Sequence, residues 1–323
     1  MIDKIKNFIY RIGGQRGKEL LTVLKGILFE IRYVRRATLM PSPNANVFYF
    51  VFDPHYSHPG LADRLKAILG CYYIAKQNGY SFKIVWREPF PLSDFLSESR
   101  VRWQCDGHGP AYSIRNTRFF IYSGLRKGLG CKLRPNKEYV CCCYKGDDLF
   151  YVNGVSDFDK RFGSLFYELF QPSDMMKRLL ASTGLTAKGY VSVHARFVNA
   201  LGQFESSKYP ILPVERQKDL LSRCRAAVGR VAEATDLPVV IFSDSKRFLR
   251  EVEDLPVIVL DSDSICHLSK TSDFSAFAKT FLDFFVISQS KKLYRLCAPE
   301  LYATNFSLYA SFAGNTDEED IQV

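Results

Sequence analysis

The sequence predicts an α/β protein of two parallel-sheet domains behind a basic helical arm. Three observations predict it. Short apolar, β-branched runs alternate with longer helical patterns from residue 47 to 296, as in parallel sheets covered on both faces. The 323 residues suit two domains at ~100–200 residues each. The rhythm also changes near residue 185, from a mixed middle to strict alternation. The expected division is 1–45 for arm and linker, 46–185 for an N-terminal α/β domain and 186–323 for a C-terminal one.

In chain order, Leu20, Leu21, Leu24, Ile27, Leu28 and Ile31 recur at helical spacing within the arm. Ile2, Ile5, Phe8 and Ile9 form a shorter apolar face before Gly13-Gly14. The arm reads either as a helical pair packed on the body or as a basic amphipathic segment on an anionic membrane. Met40 to Asn44, with two prolines, is a linker. Val47 to Phe52 is a strand, Leu61 to Gln77 a helix and Phe82 to Trp86 a strand, which makes a βαβ unit. Tyr139 to Tyr144 and Leu149 to Val152 are expected strands, with helices over Asp157 to Phe170 and Ser173 to Ala181. Then Gly189 to His194, Val239 to Ser243, Val257 to Leu260 and Lys292 to Leu296 are strands. Between them lie helices over Pro213 to Ala234, Ser245 to Val252 and Ser275 to Ser288.

The composition narrows the function classes. Hydrophobic residues at 47% and charged residues at 24% exclude a largely disordered chain. The net charge of +10 invites nucleic acid, but residues 1–36 carry nine basic residues against Asp3, Glu19 and Glu30. The charge therefore belongs largely to the arm, no nucleic-acid motif accompanies it, and no nucleic-acid partner is expected. The acidic C-terminus, Asp317 to Asp320, reads as a tail meeting solvent, membrane or a partner. No apolar run spans a membrane and no secretory leader is evident, so a cytoplasmic protein is expected, peripheral on the inner membrane face if the arm docks there. Nine cysteines without a CxxC pair read as reduced thiols. Cys141-Cys142-Cys143 reads as a buried strand using small hydrophobes, with a metal site as the alternative.

Open parallel sheets bind ligands at the carboxyl ends of their strands. Those positions hold His194 and Arg196, Ser243 and Asp244, and Asp261 and Asp263. Asp283 lies among Phe281, Phe284 and Phe285 on a helix, and a buried carboxylate needs a partner. Tyr302 to Ser307 is a hydroxyl-rich turn leading into a helix, whose N-terminus offers N–H groups to an anion. An arginine adds a planar fork for phosphate. The set suits a phosphorylated ligand such as a nucleotide, and Gly60 would let a backbone approach it closely.

Five motifs then match one family in order. His58 to Leu65, ahead of a helix and Phe82-Lys83-Ile84-Val85-Trp86, resembles the Gly-x-Gly-Asp-x-Leu loop and following strand of the α1,2/α1,6/protein-O-fucosyltransferase superfamily. Val193-His194-Ala195-Arg196 resembles its His-x-Arg motif, and Phe242 to Ser245 its Thr/Ser-Asp element. Phe281 to Ser288 resembles its Asp-containing helix, and Thr304 to Ala310 its Ser-x-Phe-Ser turn. The nodulation-type α1,6 enzymes look most similar. The resemblance implies a GT-B fold of two Rossmann-like domains facing a central cleft, a GDP-fucose donor, inversion at the anomeric carbon and no essential metal or other cofactor. It implies that Arg196 holds the β-phosphate, that His194 and Asp283 read the guanine, that Asp244 orients Arg196 or the ribose, and that Phe306 and Ser307 meet the phosphates. Its acceptor would be a glycan, such as a bacterial surface polysaccharide or a lipid-linked oligosaccharide. The chain departs from the pattern at Ala62, Phe197, Val198 and Asn199; many members have a second arginine where Phe197 stands. Asp63 and Glu205 are the candidate acid/base residues by charge alone.

Two rival readings stand beside this one. Asp261-Ser262-Asp263 after a strand is the pattern with which metal-dependent GT-A transferases grip a nucleotide diphosphate. A non-catalytic nucleotide- or glycan-binding protein is the other.

Overall fold

The computed structural model describes residues 31, 37–52, 60–105, 109–121, 133–142, 157–202, 210–260 and 273–323. Most of the basic arm, the strand expected at 149–152, Cys143, Glu205, Asp261 and Asp263 lie outside the described residues. The chain runs β1 (Val47–Val51), α1 (Leu61–Gln77), β2 (Ser81–Val85), β3 (Leu96–Glu98), β4 (Thr117–Ile121), β5 (Glu138–Cys142), α2 (Phe158–Leu169), β6 (Phe170–Pro172) and α3 (Asp174–Ser182). It continues through β7 (Val191–Ala195), α4 (Val214–Glu233), β8 (Val239–Ser243), α5 (Lys246–Glu251), β9 (Val257–Val259), α6 (Phe274–Gln289), β10 (Lys292–Cys297), α7 (Asn305–Gly314) and β11 (Asp317–Gln322).

The chain divides into two compact units. One takes Asp63–Pro91 and Glu98–Phe158 with the described residues before 59; the other takes Pro59–Ala62, Leu92–Ser97 and Asp159–Val323. The division falls well before residue 185 because α2 and α3 are built into the second unit. Phe166 of α2 packs 5.4 Å from Phe284 of α6. Phe162 meets Tyr309 of α7 edge-on at 5.0 Å. Neither contact is readable from periodicity, which sees only that each helix has an apolar face.

The first unit holds a four-stranded sheet in the order β2-β1-β5-β4, parallel throughout. Phe48 stacks on Tyr139 at 5.9 Å and Tyr72 of α1 covers Phe82 at 5.5 Å, so helix and strands share one core. Cys141 and Cys142 are buried in β5, as small hydrophobes should be. At the start of β5 the fully buried Glu138 carboxylate accepts five hydrogen bonds, from Ser42, Asn44, Ala111, Tyr112 and Thr117. Those donors offset the cost of burying the charge.

The second unit holds a five-stranded sheet in the order β11-β10-β7-β8-β9, again all parallel. Strand alternation sends Val191, Val193 and Ala195 to one face. There they meet Leu220, Cys224, Ala227, Val228 and Val231 of α4, spaced three and four apart. The aromatic stripe of α6 (Phe277, Phe281, Phe284, Phe285) is buried elsewhere in this unit. Gly314 ends α7 where a Cβ would stand 1.6 Å from the Ser288 carbonyl oxygen, so only glycine fits that approach.

The acidic C-terminus is not a free tail. It forms the edge strand β11, in register with β10, where Lys292 reaches Glu319 at 2.7 Å and Arg295 reaches Asp320 at 2.7 Å. Acidic residues are poor strand formers, and here basic neighbours on the adjoining strand compensate.

Candidate active site

The site is built at the carboxyl ends of β7, β8 and β10 in the second unit. Strand alternation that gives Val193 and Ala195 to the α4 core gives His194 to the opposite face. His194 is buried, and its Nδ1 lies 3.2 Å from Ser307 Oγ, itself wholly buried in α7. Thr304 caps α7, its Oγ1 accepting the Phe306 N–H at 3.1 Å. The Phe306 ring sits 6.2 Å from the His194 ring. These contacts place the first turn of α7 over the end of β7. The Ser307 hydroxyl and the Phe306 N–H are thereby engaged within the protein.

Asp244, the first residue past β8, fixes the bend that follows β7. Its two carboxylate oxygens accept the N–H groups of Phe197 and Val198, each at 2.8 Å. Val198 has φ 51°, a left-handed conformation unfavourable for a β-branched residue. Such strain persists only where neighbours over-determine it, and the Asp244 clamp supplies that. The same carboxylate lies 3.8 Å from Arg196 Nε, and the Arg196 carbonyl accepts the Tyr302 N–H at 2.9 Å. Phe197 is fully buried and packs 5.0 Å from Phe248, so the position has been absorbed into the core.

A cavity of about 120 Å³ opens here, lined by His194, Arg196, Arg295, Tyr302, Thr304 and Asp320 among others. Burial, and then the charges of Arg196 and Arg295, push the His194 pKa down to about 3. The imidazole is therefore neutral at pH 7, able to donate from one ring nitrogen and accept at the other. The cavity offers two guanidinium groups and a neutral imidazole, donors that suit an anionic, hydrogen-bonding ligand, and it opens beside Thr304, the N-cap of α7. A second cavity of about 290 Å³ adjoins it across Tyr302, lined by Phe197, Val198, Leu212, Arg216 and Glu300 among others.

The remaining sequence candidates lie as follows. Asp283 has its partner in Lys279, one helical turn earlier, whose Nζ donates to both carboxylate oxygens at 2.8 Å. Lys279 is itself buried, so the pair accounts for a carboxylate among phenylalanines. Gly60 immediately precedes α1 and is partly buried. Asp63, in the first turn of α1, is 2.8 Å from the buried Lys66 ammonium. Its neighbour Arg64 is 2% exposed, with its guanidinium 4.7 Å over the Phe52 ring and 5.1 Å over Trp86. Arg295, Asp320, Lys279 and Arg64 escaped the sequence reading. Only Lys279 left a signal there, its spacing of four from Asp283.

No family model matches the chain, and no curated protein matches it in sequence. Among solved structures, the NodZ alpha-1,6-fucosyltransferase soaked with GDP-fucose aligns at a TM-score of 0.50 and 14% identity, over 83% of this chain and 92% of that one. Fucosyltransferase NodZ from Bradyrhizobium aligns at 0.47 and 13% identity, over 82% and 92%. POFUT1 in complex with GDP-fucose aligns at 0.41 and 12%, over 88% and 99%. With two parallel-sheet units in sequence and an alignment spanning most of both chains in the first of these, the chain shares the GT-B fold of that structure.

Proposed function

We propose that this protein is an inverting glycosyltransferase that transfers L-fucose from GDP-fucose to a glycan acceptor. One observation carries the reading: Arg196, neutral His194 and the N-terminus of α7 meet around a single cavity at the carboxyl ends of the sheet. As the sugar–phosphate bond breaks, negative charge grows on the departing diphosphate. A fixed guanidinium aimed there lowers the barrier, because its orientation is settled before the reaction. Asp244 sets the bend from which Arg196 projects. With cations of its own at the leaving group, the reaction needs no metal there. The acceptor hydroxyl must lose a proton; Asp63 is committed to Lys66, and Glu205 remains the other acidic candidate.

Among the described residues no helix is long and apolar enough to cross a membrane. We place the enzyme in the cytoplasm, with residues 1–40 holding it to the anionic inner leaflet and a surface-polysaccharide or lipid-linked oligosaccharide as acceptor. Deleting residues 1–40 then releases the protein from anionic vesicles; unchanged binding refutes this placement.

The transfer itself is tested by release of GDP from GDP-fucose in the presence of an acceptor glycan library. Arg196→Ala lowers turnover at least ~100-fold, as expected for losing one donor to the developing charge. Folded Arg196→Ala protein with near-normal kcat refutes the role.

A further inference from the structure

We infer that Arg295 is a second phosphate-binding cation of this site, held by Asp320 until a diphosphate arrives. The inference rests on the nucleotide-diphosphate reading above and extends it to residues on β10 and the C-terminal strand.

The register places three ionisable side chains in one row across the sheet. His194 on β7 pairs with Arg295 on β10, and Arg295 pairs with Asp320 on β11. All three line the cavity that Arg196 also lines. Arg295 is thus on the His194 face of its strand, while its neighbours Tyr294 and Leu296 pack towards the α4 core. Its charge reaches the cavity, for it contributes after Arg196 to the lowering of the His194 pKa.

The partners of Arg295 are incomplete. One terminal nitrogen reaches Asp320 Oδ1 at 2.7 Å. The Nε is buried and has no hydrogen-bond acceptor among the described residues; the Glu318 carboxylate forms an ion pair with it at 3.8 Å, beyond hydrogen-bond distance. A guanidinium has five donors in a planar fork, and a phosphate offers acceptors at matching spacing. Two guanidinium groups in one small cavity repel each other unless anions intervene. Asp244 lies beside Arg196 and Asp320 beside Arg295. A diphosphate brings the same compensation with more oxygens. Asp320 therefore both positions Arg295 and competes with the ligand for it.

This competition makes the test one of sign. Titration calorimetry with GDP and with guanosine is run on the full chain, its Arg295→Ala variant and its Asp320→Asn variant. Arg295→Ala weakens GDP about tenfold to a hundredfold, the loss expected for a hydrogen bond to a charged group, and leaves guanosine affinity unchanged. Asp320→Asn keeps the row intact and binds GDP as tightly as the parent or severalfold more tightly. A structural role for the ion pair would instead weaken GDP in both variants. GDP affinity within twofold of the parent in folded Arg295→Ala, or weakened binding in Asp320→Asn, overturns the inference while leaving the nucleotide reading in place. If Arg295→Ala does not fold, Arg295→Gln takes its place and is read by the same criterion. A parent protein that binds no GDP overturns the nucleotide reading, and this inference falls with it.

Discussion

Replacing Asp244 by alanine tests whether one carboxylate builds the site. The side chain is 4% exposed and accepts two backbone N–H groups at 2.8 Å. Two buried donors left unsatisfied cost about 1–3 kcal/mol each. Relaxation of the left-handed Val198, which holds ~1–3 kcal/mol of strain, returns part of that, so a net loss of about 2–4 kcal/mol is expected. At roughly 2–4 °C per kcal/mol for a unit of this size, the melting temperature falls by about 5–15 °C. Urea unfolding is the better assay, because a lowered midpoint at unchanged slope reports stability alone. Asp244→Asn keeps one acceptor oxygen but aims an amide at the second N–H, so it should fall between parent and alanine. A loss below ~0.5 kcal/mol, the range of a neutral surface substitution, would refute the clamp. So would an asparagine variant less stable than the alanine one.

Other perturbations follow from the same geometry. The folded pKa of His194, about 3, lies below the ordinary imidazole value near 6.5, so the unfolded chain takes up the proton first. The stabilising contribution is complete above pH 6.5 and drains away towards pH 3, at about 1.4 kcal/mol per pH unit. Unfolding free energies from urea at pH 7.5 and pH 5 should differ by about 2 kcal/mol less in His194→Gln than in the parent; equal differences would contradict a buried neutral imidazole. Within α6, Lys279→Met removes the lysine that pairs with the Asp283 carboxylate and should destabilise by about 3–5 kcal/mol. The double variant Lys279→Met/Asp283→Leu should recover most of that, and a double variant no better than the single one would count against the pair.

Much of the second unit was legible because parallel strands buried on both faces are continuous apolar runs. β7, β8, β9 and β10 fall within a residue or two of their expected positions, as do α4, α5 and α6. β11 was not legible. Asp-Glu-Glu-Asp has no strand propensity, and its pairing depends on Lys292 and Arg295 some 25 residues earlier, which no local window relates to it. β4, β3 and β6 are short or flanked by turns, and the pairing of β3 with β6 joins segments some 70 residues apart.

The site was legible in outline for a different reason. Strand ends are where a parallel sheet offers chemistry, so His194, Arg196 and Asp244 could be singled out by position. Their partners could not. The Ser307 contact to His194 spans 113 residues. Arg295 sits inside a strand, where sequence gives no sign of which face it takes. Asp283 stands out on its apolar helix in the same way, and its partner Lys279, one turn away, is a spacing the sequence holds without showing that the two side chains meet.

The most direct test of the central claim is nucleotide selectivity. Melting temperatures are measured with GDP, UDP, ADP and CMP, each with and without EDTA. A ligand at about 100 times its dissociation constant stabilises by ~2.7 kcal/mol, a shift of several degrees. Stabilisation by GDP alone, equal with and without EDTA, is the predicted result. Stabilisation by UDP that EDTA abolishes would contradict the account and move the chemistry to Asp261 and Asp263. No stabilisation by any nucleotide would contradict it outright.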